Sequence, residues 1–304
     1  MIIEKIKKAP MGFASDIEAK QFVMTCEKDF EDRFDIVLSE IANISNLKIL
    51  TLSGPTCSGK TTAAKKIISE LAERGRRVNV ISIDDFYFDK EILHAMSDGN
   101  GIDYDSPTTI DLPLLSEFVE QIDSGRELLS PIFDFHSGVR TGYRKISTAP
   151  DDVFIFEGIQ AIYPEVTSLF EGHGFCSAYI APQSSIEVGG AVIAPNDLRF
   201  LRRLVRDSNF RSTDAEFTFK IWDSVRNNED KNIFPYVDKS LFCIDSSFPY
   251  EIGILKPYLE KILGELSVHS EYRERADAIL NIIRGVQAIT KDYLPSESLY
   301  REFV

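Results

Sequence analysis

The chain has 304 residues, 43% of them hydrophobic, and a net charge of −14. That is enough material for one large α/β domain with a smaller appendage, and no apolar run reaches the roughly 20 residues that cross a bilayer. The acidic balance is poorly suited to tracking a nucleic-acid backbone, although a small anionic ligand stays open if positive charge is gathered at one site.

The opening residues, Met1-Ile2-Ile3-Glu4-Lys5-Ile6-Lys7-Lys8, lack the apolar core and cleavage site of a signal peptide. The cysteines Cys26, Cys57, Cys176 and Cys243 are scattered without metal-ligand spacing, so reduced thiols in a cytoplasmic enzyme are expected.

Residues 16–44 predict a helix. Val23, Cys26, Phe30, Phe34, Val37 and Ile41 recur at three- and four-residue steps between polar positions, the pattern of a helix packed on a larger body. A role in binding a protein partner is the alternative. Residues 47–53 predict a buried strand and 62–75 a helix. Between them Gly54-Pro55-Thr56-Cys57-Ser58-Gly59-Lys60-Thr61 fits the phosphate-loop pattern G-x-x-x-x-G-K-[ST], continued by Thr62. Strand, glycine loop and helix together turn that pattern into a nucleotide-site expectation. Gly54 and Gly59 free the backbone for close approach. The amides at the helix start favour an anion, Lys60 reaches the β- and γ-phosphates, and Thr61 offers a hydroxyl to Mg²⁺. An ordinary glycine-containing turn with a solvated lysine is the bland alternative.

Further strands are expected at 78–83, 153–156, 176–180 and 241–244. Helical or irregular segments separate them, which favours a doubly wound parallel sheet of the P-loop type with flanking helices. Ligands of such sheets sit beyond the carboxyl ends of the strands. Asp84 and Asp85 follow the second strand, and Glu157 follows the third. A carboxylate at Asp84 could accept the proton of an attacking hydroxyl or hold Mg²⁺; a solvated turn is the ordinary alternative. Glu157 ends a run of apolar residues, where an unpartnered charge is costly; a Mg²⁺-bound water would be a natural partner.

Arg199, Arg202, Arg203 and Arg206 fall on one helical face, with Asn196 or Asp197 as a candidate cap. A lid closing positive charge over a transferred phosphoryl group is expected, against a solvated face neutralised by Asp197, Asp207 and Asp214. Residues 250–289 predict two helices, with stripes Leu255, Leu259, Ile262, Leu263 and Ala276, Leu280, Ile283, Val286.

These pieces resemble the uridine–cytidine kinases, within the wider group that includes phosphoribulokinase and pantothenate kinase. The likeness runs from about residue 48 to 244. It is carried by residues 54–62, by Ile81-Ser82-Ile83-Asp84-Asp85-Phe86-Tyr87, by Tyr104-Asp105-Ser106-Pro107, and by Pro131-Ile132-Phe133-Asp134-Phe135 with Arg140. Phe156-Glu157-Gly158-Ile159 and Arg202-Arg203-Leu204-Val205-Arg206-Asp207 with Arg211 complete it. The resemblance implies Asp84 as general base, with Lys60, Arg203 and Arg206 also catalytic. It implies Thr61, Asp84 and Glu157 for Mg²⁺, and ATP on the loop. Tyr87, Asp105, Phe133, His136, Arg140, Arg203, Arg206 and Arg211 would meet the acceptor or its phosphates.

Three departures concern substrate reading. The family has a tyrosine where this chain has Phe133, a pyrimidine-holding histidine where it has Gly138, and an arginine where it has Thr213; His136 stands two positions early. The expected activity is ATP-dependent phosphorylation of a small hydroxylated molecule, first of all the 5′-hydroxyl of a pyrimidine nucleoside. The alternatives are a kinase for a sugar phosphate or pantothenate-like compound, and a non-catalytic nucleotide-binding regulator. The division implied is a helical extension over 1–45, a kinase domain with its arginine lid over 46–249 and a helical tail over 250–304. Neither nucleic acid nor membrane is an expected partner, and a homo-oligomer fits a family whose members often assemble.

Overall fold

The computed structural model describes residues 5–97 and 105–304; Tyr104 lies outside them. In chain order the elements are β1 (Lys5–Lys8), α1 (Asp16–Ala42), β2 (Ile49–Ser53), α2 (Lys60–Glu73), β3 (Val78–Ser82), α3 (Lys90–Met96) and α4 (Leu112–Glu120). Then come β4 (Leu128–Asp134), β5 (Val139–Ile146), β6 (Val153–Glu157), α5 (Pro164–Thr167), β7 (Phe175–Ala181), β8 (Ser184–Val188) and β9 (Ala191–Ile193). The chain continues through α6 (Pro195–Phe210), α7 (Ala215–Asn232), β10 (Phe242–Asp245), α8 (Glu251–Gly264) and α9 (Arg273–Ile283).

The main sheet has the order β10-β7-β2-β6-β3, and every neighbouring pair is parallel. Its central strand β2 is buried along its whole length, as expected of a parallel strand covered on both faces. Alternate side chains enter two separate cores. Leu50, Leu52, Ile155 and Ala178 pack with α1, α2, α6, α8 and α9. Ile49, Phe154, Phe156 and Tyr179 pack with Leu115 and Phe118 of α4 and with Phe170. Helices therefore cover both faces, as the sequence pattern predicts for a doubly wound sheet.

Ser15 caps α1 by accepting from the Glu18 amide, and Glu18 reaches back to the Ala14 amide at 2.6 Å, which satisfies donors that the helix start leaves open. The helix buries Val23, Cys26, Phe30, Phe34, Leu38 and Ile41. Leu38 joins the expected stripe, and Val37 sits at its edge. The helix α6 begins at Pro195 with Ala194 as its N-cap, so neither Asn196 nor Asp197 is the cap.

Two features were not expected from the sequence. One is the antiparallel hairpin β4–β5, with a register shift at Ile132/Phe133. The other is a small sheet in which β1 lies parallel to β8 and β8 antiparallel to β9. Most of β5 is half-buried or exposed, so it lacks the apolar signal that marks the main strands. No helix among the described residues is long and apolar enough to cross a membrane, and the four cysteines are free thiols.

Candidate functional site

The carboxyl ends of β2, β6 and β3 meet at one edge. Leu52 is paired with Glu157, and Glu157 with Ser82. The phosphate loop leaves β2 after Ser53, and Asp84 lies in a single 3-10 turn directly after β3. Chain connectivity alone thus delivers Lys60, Asp84 and Glu157 to the same rim.

The loop is tightly built. A Cβ on Gly54 would lie 2.2 Å from the Ile180 carbonyl oxygen of β7, so the sheet itself requires glycine there. Gly59 has φ +97°, and a Cβ would lie 2.2 Å from Leu299 Cδ1, so both backbone conformation and packing exclude a side chain. Cys57 holds the left-handed conformation at φ 59° and is buried. Pro55 and Ser58 are buried in the loop between these points, while Thr61 is exposed on the first turn of α2.

Lys60 Nζ donates to the Gly54 carbonyl at 2.7 Å and the Pro55 carbonyl at 3.4 Å. Burial pulls its ammonium below the usual lysine range, opposed by the attraction of Glu157 and Asp84. Burial is also the main cause that pushes the Asp84 carboxyl up to about 6, with repulsion from Glu157 adding to it. Lys60 and a hydrogen bond with Tyr87 work the other way. Two carboxylates are thus crowded beside one ammonium, the arrangement that raises a carboxyl toward neutral pH.

The first turn of α2 already holds an anion. The Thr62 amide and hydroxyl both donate to Glu302 Oε1, at 2.7 and 2.6 Å. This carboxylate, 240 residues away in sequence, is a site residue that sequence reasoning missed. No local pattern marks it, since only the tertiary fold brings it to the loop.

The arginine stripe divides into two parts, which corrects the expectation of a single closing face. Arg199 and Arg202 are fully buried. Arg199 is paired with Glu229 and donates from Nε to the Thr56 carbonyl at 3.0 Å. Arg202 Nε meets Glu251 at 2.8 Å, and its NH1 donates to the Cys57 carbonyl at 3.3 Å. Both guanidinium groups brace the loop from behind. Arg203 and Arg206 are held by Asp207, at 3.2 and 2.6 Å, and Arg206 NH1 also donates to Thr56 Oγ1 at 3.3 Å. Arg211 is more exposed and stands 3.7 Å from Asp207.

On the other side of Asp84 lies an aromatic wall. The rings of Tyr87, Phe133 and Phe135 meet edge to face, with centroids 5.2–6.0 Å apart. The Gln160 amide donates to the Tyr87 hydroxyl, and Tyr163 OH donates to the Asp105 carbonyl at 2.6 Å. The charge of Asp105 is felt at Asp84. Arg140 donates to Asp111 and to the Tyr87 carbonyl, each at 3.0 Å, and its buried Nε has no partner among the described residues. His136 is exposed in the β4–β5 turn, with its amide bonded to Asp134. Gly138 has φ +72°, and its Cβ would lie 3.0 Å from Lys90 Cβ. In this backbone conformation a histidine would be strained and crowded by α3.

The chain is 31% identical over 168 residues to a uridine kinase of Lactobacillus johnsonii, covering 55% of this chain and 71% of that one. It is 27% identical over 177 residues to a uridine kinase of Ureaplasma urealyticum, covering 58% and 77%. A solved structure described as a possible uridine kinase from Bacillus stearothermophilus overlaps 71% of this chain and all of that one, at 19% identity and a TM-score of 0.46. The profile of the Phosphoribulokinase / Uridine kinase family matches residues 49–247. That span contains the loop, all three strand-end acids and the α6 arginines, and the chain belongs to this family of kinases, phosphotransferases that act on a hydroxyl group.

Proposed function

We propose that this protein transfers the γ-phosphoryl group of ATP to the 5′-hydroxyl of a pyrimidine nucleoside. The observation that carries the reading is the crowding of Asp84 and Glu157 against Lys60 at the rim beside the phosphate loop. The loop fits a polyphosphate, because its first helical turn already takes a carboxylate on the Thr62 amide and hydroxyl. Thr61, Asp84 and Glu157 supply hard oxygen donors at the same rim, a set that suits Mg²⁺. When bound there, the ion would neutralise charge on the β- and γ-phosphates.

Asp84 accepts the proton of the acceptor hydroxyl as that oxygen attacks the γ-phosphorus, and ADP departs. A carboxyl near 6 is well placed for this at neutral pH: largely ionised, yet basic enough to take a proton. Lys60 follows the charge that develops on the transferred group, and Arg203 and Arg206 of α6, with Arg211 at its C-cap, face it. Phe135, exposed beside the buried rings of Tyr87 and Phe133, offers an apolar ring to a planar base, while Asp105 stands at the sugar side. His136 and Arg140 complete the acceptor wall in this reading. The kinase body spans 46–249, and the described parts of 1–45 and 250–304 pack onto it through the shared apolar core.

A second reading has support of its own. Phe133 carries no hydroxyl, the turn at Gly138 has no room for a histidine, and Arg140 is partly engaged by Asp111. Another hydroxylated metabolite, such as a sugar phosphate or pantothenate-like compound, would lack the base that these positions read. ADP release measured with a panel of acceptors decides between them. The nucleoside reading expects uridine or cytidine to give the highest kcat/KM. Stimulation by a non-nucleoside alone overturns it. ATP binding without stimulation by any acceptor points to a regulator.

A further inference from the structure

The segment 295–304 lies over the phosphate loop and is firmly anchored. Ser298 Oγ donates to Glu27, and Tyr300 OH donates to Glu251 Oε2 at 2.6 Å. Asn209 Nδ2 donates to the Phe303 carbonyl at 3.2 Å. Leu299 is buried directly against Gly59. Between these anchors Glu302 reaches the Thr62 amide and hydroxyl at 2.7 and 2.6 Å.

A carboxylate on a main-chain N–H in the first turn of this helix does what a phosphate oxygen does. Both are anions, and both are favoured by the open amide and the helix dipole. One N–H cannot serve both. The anchors hold Glu302 beside Thr62, so the carboxylate competes at high effective concentration. A place exists for it to go: a cavity of about 530 Å³ is lined by Thr62, Glu302, Lys65, Lys66 and Arg301. Lys66 is already paired with Glu31 at 2.8 Å, and Arg301 donates to the Pro295 and Leu294 carbonyls at 2.7 and 2.6 Å, which leaves Lys65 to receive a displaced carboxylate.

We propose that Glu302 is a built-in competitor for the nucleotide: its carboxylate holds the Thr62 amide and must leave before a nucleotide phosphate can bind there. The proposal rests on the loop being a nucleotide site. It makes the apparent affinity for nucleotide the intrinsic affinity reduced by the fraction of molecules in which Glu302 is released.

The test is titration calorimetry of ADP with Mg²⁺ on the full chain and on its Glu302→Gln and Glu302→Ala variants. Glutamine keeps the shape and removes the charge, so it guards against a folding defect in the alanine variant. Both variants should bind ADP more tightly, on the order of tenfold, because a charge-assisted bond no longer has to break. Unchanged or weaker binding in Glu302→Gln overturns the proposal while leaving the nucleotide site intact. No ADP binding by any of the three proteins overturns the nucleotide site, and the proposal with it. Hydrogen exchange of the unaltered chain gives a second reading. The amides of Arg301 and Phe303, which bond to the Ser298 and Tyr300 carbonyls, should exchange faster once ADP displaces Glu302. Slower exchange there would make the segment a wall of the bound site and overturn the proposal.

Discussion

On the α6 side of the phosphate loop, Arg199 and Arg202 each face a buried carboxylate and each also donates to a loop carbonyl. On the β3–β6 side, Asp84 and Glu157 repel one another beside a single partly desolvated lysine. Both clusters lie against the same loop and carry similar numbers of charges. The first has its hydrogen bonds and opposite charges supplied from within the fold, so it stiffens the loop. The second leaves Asp84 with a raised affinity for a proton beside a second carboxylate, and that unmatched charge is available to a ligand. Pairing, more than position, separates the structural charges from the functional ones.

The largest expected effect comes from Asp84→Asn. Turnover should fall on the order of a thousandfold, while ADP binding persists. The same change removes a burdened carboxylate, so thermal unfolding should shift upward by a few degrees. A variant that retains turnover, or that melts lower than the parent, breaks the contrast.

Arg202→Met tests the opposite side. It leaves Glu251 buried without its partner, and such a loss costs about 3–5 kcal/mol. Denaturant unfolding should show that loss, and the double change Arg202→Met with Glu251→Leu should recover much of it. A single variant as stable as the parent would mean the pair braces nothing.

The pH dependence sharpens the comparison. The Asp84 carboxyl moves from an ordinary 3.8 up to about 6 in the folded chain. The base form is needed, so kcat/KM should rise tenfold per pH unit below about 6 and level off above it. Stability should run the other way. The raised carboxyl gives its full benefit below about pH 4, and that benefit is lost as pH rises through about 6. The gap between parent and Asp84→Asn, followed by thermal unfolding, should therefore open across that window. A gap that is constant with pH would remove Asp84 from this role.

The smallest of these effects is Gly59→Ala. A left-handed conformation costs an L-residue about 1–2 kcal/mol, and the methyl group would also meet Leu299. Thermal unfolding should fall, and by less when Gly59→Ala is made in a Leu299→Ala background than in the parent. No rescue would show that backbone conformation alone sets the cost.

The main sheet and the edge where the chemistry gathers were legible because each is written locally. A buried strand, its turn and the next helix are contiguous, and β2, β3 and β6 each announce their ends with Gly54, Asp84 and Glu157. The hairpin β4–β5 was not legible, because its outer strand is largely polar and draws its order from pairing with β4. The arginine stripe was legible as periodicity, but its meaning was not. The partners Glu229 and Glu251 lie 30 and 49 residues downstream on other helices, and a helical wheel cannot show a partner. Glu302 is the extreme case, a lone acid whose significance exists only after folding.

The guanidinium braces carry a practical lesson for protein engineering. The Thr56 and Cys57 carbonyls take hydrogen bonds from residues more than 140 positions later, and those residues in turn depend on α7 and α8. Transplanting the glycine-rich octapeptide with its strand and helix into another scaffold would move the recognisable signature without the struts that fix its shape. A working graft must carry α6 with its two acidic anchors, a module discontinuous in the gene and contiguous only in space.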